Sequence, residues 1–460
     1  MKVKAPAKVK APAVKASAKV KAPVQARVNQ ESLTDEELAE LQKSTFGYFL
    51  KETNPGNGMV PDSTKENAAA SIAAIGFALT AYPVAVERDY LTRGEATERV
   101  LTTLRFFWNS PQGTEPDATG YQGFYYHFLD MQTGRRAHDA ELSTIDSAFL
   151  IAGALTAGQY FSRGAPDEQE IRTLADALYA RADWQWAQNG QLKVSHGWNP
   201  EAGFLNHWWD GYSEALILYA LGLGSPTHPL PVESYGAWAG SYRWRKLYDI
   251  EFLYAGPLFV HQLSHVWIDF RGIQDEYMRG KGLDYFENSR RAAYVQQQYA
   301  IRNPKQFNGY GEYSWGITAS DGPGPAKRKV GRRIRHFFDY KARSIPAGPD
   351  DGTLAPWAVV ASLPFAPELV LPTIKHFNDT FPEMTSEYGF KCSYNPTFSD
   401  GASSGWISQG YYGLDQGPIV MMIENYRSGL IWSLLRRCPY IRMGLRRAGF
   451  TGGWLTRDGG

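Results

Sequence analysis

Residues 206–223 read Asn-His-Trp-Trp-Asp-Gly-Tyr-Ser-Glu-Ala-Leu-Ile-Leu-Tyr-Ala-Leu-Gly-Leu, and the interpretation of the whole chain starts from them. The first half is typical of a loop, and Ser213 is a good helix N-cap. Glu214 follows at once, before an apolar run, so we expect an acid in the first turn of a buried helix. Aromatic rings beside a carboxylate suit a sugar, which has apolar C–H faces and a hydroxyl rim. The simpler interpretation is that Glu214 complements the helix dipole and that the tryptophans are core.

Apolar and amphipathic segments alternate along the rest of the chain. Segments apolar on nearly every side, predicted to be buried helices, are 67–86, 144–162, 213–223, 257–270, 354–363 and 417–435. Amphipathic segments, predicted to be half-exposed helices, are 32–53, 93–108, 167–183, 233–245, 285–302 and 368–378. An all-round apolar helix must be buried, and an amphipathic one covers it. Six of each kind predict an all-α fold of two concentric layers, the (α/α)6 toroid.

Carboxylates recur just before the predicted inner helices. The inner helices of a toroid run parallel, so their N-termini gather at one end, and five of the six lead-in segments contain Asp or Glu. Asp146, after Ser143 and Thr144, lies where Glu214 lies on the next inner helix. Glycoside hydrolysis usually needs two such carboxyl groups, one as acid and one as base or nucleophile. We therefore expect Asp146 and Glu214 to be the catalytic pair, with Glu141 and Asp210 as substitutes; neither the roles nor the stereochemistry follows from these residues.

Composition limits the possible functions and domains. Eight of the 48 Lys and Arg lie in residues 1–30, which hold no acid, so the rest of the chain is net acidic and is not expected to bind nucleic acid. Aromatic residues make up 14% of the chain, including 14 Trp and 27 Tyr, as suits a carbohydrate-binding protein. We expect a disordered Lys/Ala/Pro-rich tail over 1–30 and a single catalytic domain over 31–460.

Targeting and metal signals are weak. Residues 1–30 lack the apolar core of a signal peptide, which predicts a cytoplasmic protein, or a periplasmic one if the start is misassigned. No apolar run has the ~18 residues of a transmembrane helix.

Cys392 and Cys438 are expected to be buried thiols. Because Gln262 replaces the Glu of the H-E-x-x-H pattern, His261 and His265 predict no metal site, and we expect no cofactor.

Several long motifs closely resemble the bacterial glucoamylase-like family, which includes endo-β-1,2-glucanases that release sophoro-oligosaccharides. They lie at 261–271, 310–323, 351–356, 413–418 and 423–427. The resemblance spans about residues 35 to 450. It implies the (α/α)6 fold and an acidic sugar cleft, and it carries a catalytic role over to Asp146 and Glu214. It also implies an inverting mechanism, in which the proton can reach the glycosidic oxygen through a sugar hydroxyl.

Further residues are predicted to contact a sugar chain. Three aromatic residues are expected to stack on sugar rings: Trp208, Tyr310 and Trp315. Six polar residues are expected to bind sugar hydroxyls: Glu141, Glu312, Asp415, Gln416, His265 and Arg271. Asp269 and Arg271 are expected to pair at the mouth. The predicted function is a glycoside hydrolase acting on β-1,2-glucan or a related β-glucoside. Two alternative functions stay open: a transglycosylase on the same substrate and a non-catalytic glycan-binding toroid. The sequence does not determine the linkage that is cleaved, endo or exo action, or the oligomeric state.

Overall fold

A computed structural model describes residues 33–399 and 405–456, and helices dominate it. The predicted tail, residues 1–30, lies outside this part, and the described residues form one compact unit from Leu33 onward. The α-helices are α1 (Asp35–Glu52), α2 (Ile72–Glu87), α3 (Arg93–Asn109), α4 (Thr144–Tyr160), α5 (Pro166–Arg181), α6 (Leu216–Gly224), α7 (Glu233–Ala239), α8 (Glu276–Lys281), α9 (Tyr285–Arg302), α10 (Pro356–Val360), α11 (Pro367–Thr380), α12 (Gly413–Arg427), α13 (Leu430–Arg437) and α14 (Pro439–Arg447). The predicted helical character is therefore confirmed.

Short strands, which the sequence analysis did not predict, lie between the helices, so the chain is not purely α. They are β1 (Ala70–Ser71), β2 (Gly120–Tyr121), β3 (Phe124–Tyr126), β4 (Phe128–Leu129), β5 (Leu142–Ser143), β6 (Gly197–Asn199), β7 (Gly203–Phe204), β8 (Trp244–Leu247), β9 (Ile250–Leu253), β10 (Ala319–Ser320), β11 (Ala326–Val330), β12 (Arg333–Phe337), β13 (Lys341–Ala342), β14 (Thr385–Ser386), β15 (Gly389–Phe390), β16 (Tyr394–Asn395) and β17 (Trp406–Ile407). Five of them form an antiparallel sheet in the order β2-β3-β5-β6-β7. Strands of two or three residues carry too little alternation for sequence patterns to detect.

Several helix boundaries follow local chemistry. Thr34 caps α1, and Glu37 returns a hydrogen bond to the Thr34 backbone, completing a capping box. The predicted helix over 257–270 is wrong in type, because the chain there forms two short 3₁₀ turns, Leu258–His261 and Leu263–Val266. The predicted helix over 417–435 is two helices, since Gly429 between α12 and α13 has a left-handed φ of 69°.

Two other segments differ from their prediction. The predicted helix over 233–245 ends at Ala239, and the chain then enters the hairpin β8–β9. The basic run 327–335, expected to be a solvated loop, forms the hairpin β11–β12. Aromatic and β-branched residues favour strands in both segments, and the amphipathic pattern of 233–245 was too short to decide.

The buried helices pack directly on one another. α4 contacts α2 and α6, while α12 contacts α2 and α10. The amphipathic helices lie against them, with α1 on α12, α5 on α4, and α11 on α10. No helix within residues 33–399 and 405–456 is both long and apolar enough to cross a bilayer.

The contact between α2 and α4 depends on two glycines. A Cβ at Gly153 would lie 2.1 Å from the Gly76 carbonyl oxygen, and a Cβ at Gly76 would lie 2.3 Å from the Phe149 carbonyl oxygen. Backbone atoms cannot rotate away, so Gly153→Ala must push the helices apart. We expect the free energy of unfolding to fall by about 2–3 kcal/mol in denaturant titrations.

Gly94 provides the matched control for this prediction. It is also helical, in α3, but a Cβ there would meet nothing within 4 Å. Gly94→Ala should leave stability unchanged or raise it by up to ~1 kcal/mol, because alanine has the higher helix propensity. Equal effects of the two substitutions would contradict the close approach of α2 and α4.

Candidate active site

A cleft of about 590 Å³ contains both predicted catalytic carboxylates. Its acidic lining residues are Asp62, Glu141, Asp146 and Glu214. Its aromatic and imidazole lining residues are His127, Phe128, Phe149, His196, Trp209, Phe259, Tyr340, Trp357 and Tyr412. A few acidic groups among aromatic side chains match the usual composition of a ligand-binding pocket.

Asp146 is held at the first turn of α4. Ser143 is the N-cap, and its hydroxyl accepts a hydrogen bond from the Asp146 backbone N–H at 3.2 Å. The same hydroxyl donates to Asp146 Oδ2. Only 8% of Asp146 is exposed, and that surface faces the cleft. The cap therefore fixes the carboxylate in one orientation.

His127 lies between two carboxylates. Its Nδ1 is 3.0 Å from Glu141 Oε1, and its Nε2 is 3.6 Å from Asp146 Oδ2. Burial alone would lower the pKa of His127, but the charges of Asp146, Glu141 and Asp62 outweigh it and raise the pKa to about 9. The imidazole is therefore protonated at neutral pH and stabilises the charge of Asp146.

The five-stranded sheet creates this arrangement. Tyr126 in β3 pairs with Leu142 in β5, which places the adjacent His127 opposite Glu141. The His127 backbone N–H also donates to the Glu141 carbonyl oxygen at 2.9 Å. Glu141 accordingly faces the cleft, and its pKa, although burial raises it, is lowered overall by His127.

Glu214 lies just before α6, in a turn and not in the predicted first helical turn, because α6 begins at Leu216. Its carbonyl oxygen accepts a hydrogen bond from Ser264 Oγ at 2.8 Å, which anchors the turn. Burial raises the pKa of the Glu214 carboxyl to about 7, and the nearby charge of Asp146 adds to the increase. Glu214 can therefore hold a proton near neutral pH, as a general acid must.

Of the two adjacent tryptophans, Trp209 is the one that reaches the cleft. Its ring stacks on His196 with centroids 4.0 Å apart, and its Nε1 donates to Thr144 Oγ1 at 3.0 Å. Trp208, predicted to stack on sugar, lines a separate groove together with Asp210. Asp210 pairs with Lys193 at 2.7 Å and does not line the cleft that holds Asp146 and Glu214.

The three predicted contacts in the segment 303–351 do not line the cleft. Trp315 has no exposed surface and donates to Thr373 Oγ1 at 3.0 Å, so it is a core residue in this structure and cannot stack on a sugar. Tyr310 donates to Asp350 Oδ1 at 2.6 Å. Glu312 is exposed on the surface outside the cleft lining. Glycine and aromatic content indicated a folded segment, but none of these three residues is among those that line the cleft.

His265 and Arg271 also lie outside the cleft lining. His265 is buried, its Nε2 lies 3.0 Å from Ser289 Oγ, and burial lowers its pKa to about 3. The predicted pair of Arg271 and Asp269 is confirmed at 2.8 Å, although Arg271 packs over the ring of Trp432 and not at the cleft. Helical spacing alone did not reveal that this segment is a pair of 3₁₀ turns.

Asp415 and Gln416 are fully buried and directly follow Leu414, which lines the cleft. Neither Asp415 carboxylate oxygen has a nitrogen or oxygen partner among the described residues. Burial raises the pKa of Asp415 well above its usual range, with a smaller opposing effect from Cys392. Gln416 donates to the Phe390 carbonyl oxygen at 3.3 Å. Both residues were predicted to bind sugar hydroxyls, but neither is among the residues that line the cleft.

His127, His196 and Asp62 line the cleft but were missed. Asp62 ends one of the acidic lead-in segments, so its sequence position did signal it. His127 and His196 belong to β-rich connections, and single histidines in such loops carry no spacing signal.

The raised pKa of His127 predicts a pH-dependent loss of stability. A histidine whose pKa rises from 6.5 to about 9 on folding contributes stability that is complete below pH 6.5 and lost as pH rises through 9. His127→Gln should therefore have a lower melting temperature than the wild type at pH 6, and the difference should disappear by about pH 10. Exposed His336 in β12 gives the control, His336→Gln. A difference that does not change with pH would contradict this assignment.

The chain resembles known proteins in sequence and in fold. A family model described as "putative glucoamylase" matches residues 206–439. A solved protein from Bacteroides uniformis with the same description is 34% identical, covers 93% of this chain and 100% of that chain, and has a TM-score of 0.81. An endo-β-1,2-glucanase from Chitinophaga pinensis, solved with sophorotriose and glucose, is 29% identical, covers 92% of this chain and 100% of that chain, and has a TM-score of 0.80.

A curated relative is the exo-β-1,2-glucooligosaccharide sophorohydrolase (non-reducing end) of Parabacteroides distasonis. It is 28% identical over 455 residues, which cover 90% of this chain. The chain spans 58% of that relative's length. The resemblance inferred from the motifs is confirmed, and the chain belongs to the glucoamylase-like family.

Proposed function

We propose that the protein is a glycoside hydrolase that cleaves β-1,2-glucan, with Glu214 as general acid and Asp146 as general base. The observation that carries the proposal is the cleft in which both carboxyl groups lie beside Trp209. The named activities of the relatives from Chitinophaga pinensis and Parabacteroides distasonis support β-1,2-glucan as the substrate.

Different surroundings separate the two roles. Glu214 is the acid because burial raises its pKa to about 7, so a proton is available for the glycosidic oxygen. Asp146 is the base because Ser143 and the protonated His127 both stabilise a negative charge on it. A water molecule activated by Asp146 would attack the anomeric carbon from the face opposite the leaving group, which inverts the configuration.

We also propose that the buried helices form the inner ring of an (α/α)6 toroid. Helices α2, α4 and α6 contact in sequence, and α10, α12 and α2 do the same. The turn Leu263–Val266 and its preceding residue, Gln262, join the two series. The Ile217 N–H in α6 donates to Ser264 Oγ, and Gln262 Nε2 donates to the Ala358 carbonyl oxygen in α10. These contacts support a closed ring, in which the 3₁₀ turns take the place of one inner helix.

A reducing-end assay over several linear glucans tests the proposed activity. The panel contains β-1,2-, β-1,3-, β-1,4- and α-1,4-linked glucans, and we expect new reducing ends from the β-1,2-linked polymer at a rate at least about 100-fold above the others. Early NMR spectra should show the α-anomer of the new end first, as inversion requires. Preference for another linkage, or binding without cleavage, would contradict the proposal, and longer products on adding an acceptor sugar would indicate transglycosylation instead.

A further inference from the structure

A second cavity of about 650 Å³ lies beside the cleft and shares no lining residue with it. Trp208 lines this groove, whereas Trp209 lines the cleft. The segment that carries both is extended, since Trp208 pairs with Ser195 as an isolated β-bridge and the Trp209 N–H donates to the Val194 carbonyl oxygen at 2.9 Å. Adjacent side chains of extended backbone point to opposite sides, which accounts for the separation.

The groove has the groups that hold a hydroxylated ring. Trp208 is half-buried and offers an aromatic surface, while Gln191, Asn206 and His207 are exposed around it. Their amide and imidazole groups can both donate and accept hydrogen bonds. The indole Nε1 of Trp208 has no hydrogen-bond partner among the described residues. Because that nitrogen has no accessible surface, Trp208 offers the groove the carbon surface of its ring and not its N–H.

One side of the groove is rigid. Asp210 accepts hydrogen bonds from Lys193 Nζ and from Ser241 Oγ, both at 2.7 Å. These contacts fix Asp210, which lies two positions after Trp208, and they neutralise its charge. The groove is therefore preformed and close to neutral at its edge, as suits an uncharged sugar chain better than an ion.

We propose that this groove is an accessory glucan-binding site, which holds one part of a long β-1,2-glucan while the cleft cleaves another part. The inference rests on the proposed glucan hydrolase function and adds a second point of attachment to it. Trp208 and Trp209 are neighbours in the chain, so a glucan bound in the groove is kept at a high local concentration beside the cleft. Only substrates long enough to reach both cavities gain from the groove.

Kinetics of Trp208→Ala on long and short substrates test the inference. With a long linear β-1,2-glucan we expect KM to rise about fivefold, the size of one lost aromatic contact. With a short oligosaccharide that fills the cleft alone, KM should change much less, so the ratio of the two kcat/KM values falls. Trp208→Phe, which keeps a ring, should restore most of the ratio, and Gln191→Ala should lower it as Trp208→Ala does.

Trp108 provides the matched control, because it is 42% exposed, lies in α3 and lines neither cavity. Trp108→Ala should keep the wild-type ratio. An unchanged ratio in Trp208→Ala, or an equal fall in Trp108→Ala, would overturn the accessory site while leaving the hydrolase intact. A wild-type enzyme that cleaves no β-1,2-glucan of any length would instead overturn the proposed function itself, and the accessory site with it.

Discussion

Glu214→Gln is expected to fold normally and to lose about 10²- to 10⁴-fold in kcat on linear β-1,2-glucan, the range that general acid catalysis supplies. Glutamine has nearly the same shape, but it cannot give a proton to the leaving oxygen. Circular dichroism and reducing-end release, measured on the same preparation, separate lost chemistry from lost folding. Glu233→Gln, an exposed acid at the start of α7, is the matched control and should keep full activity.

The same substitution has a predicted effect on stability. A carboxyl whose pKa rises from 4.5 to about 7 on folding destabilises the folded state once it must ionise there. The stability of the wild type relative to Glu214→Gln should therefore fall as pH rises from 4.5 to 7, by at most about 3 kcal/mol. Full hydrolytic activity in Glu214→Gln would refute the assignment of the acid, whatever the stability data show.

Asp146→Asn is expected to lose a similar factor, about 10²- to 10⁴-fold in kcat, because asparagine cannot accept a proton from the attacking water. Its amide can still accept the Ser143 hydrogen bond, so we expect α4 to stay capped. Product release from linear β-1,2-glucan gives the rate, and Asp167→Asn in the exposed first turn of α5 is the control.

A loss of less than about tenfold in Asp146→Asn would mean that another carboxylate activates the water. Glu141 would then be the next residue to test, since it lines the cleft and His127 lowers its pKa. Glu141→Gln would decide between the two bases. The role of Glu214 does not depend on that outcome.

The helical fold was predictable because its signals are local and repeated. The segments 144–162 and 285–302 match α4 and α9 almost to the residue, since long periodic patterns and N-caps such as Asp284 define them. The five-stranded sheet was not predictable, because its register pairs residues that are far apart in sequence, such as Ser143 and Gly197.

The site was predictable only in part for the same reason. Asp146 and Glu214 follow from their equivalent places before buried helices. His127 lies in the cleft only because β3 pairs with β5, and no local pattern records that pairing. Trp315 was misplaced because composition identifies an aromatic residue but cannot say whether its ring faces a cavity or the core.

The central claim is that a half-buried, protonated Glu214 drives hydrolysis of β-1,2-glucan, and the pH dependence of kcat/KM on that polymer tests it most directly. This parameter reports the pKa values of the free enzyme. Because Glu214 must carry its proton, we predict that activity falls above an apparent pKa of about 7. A profile that stays flat from pH 6 to about 9, well past that pKa, would contradict the account.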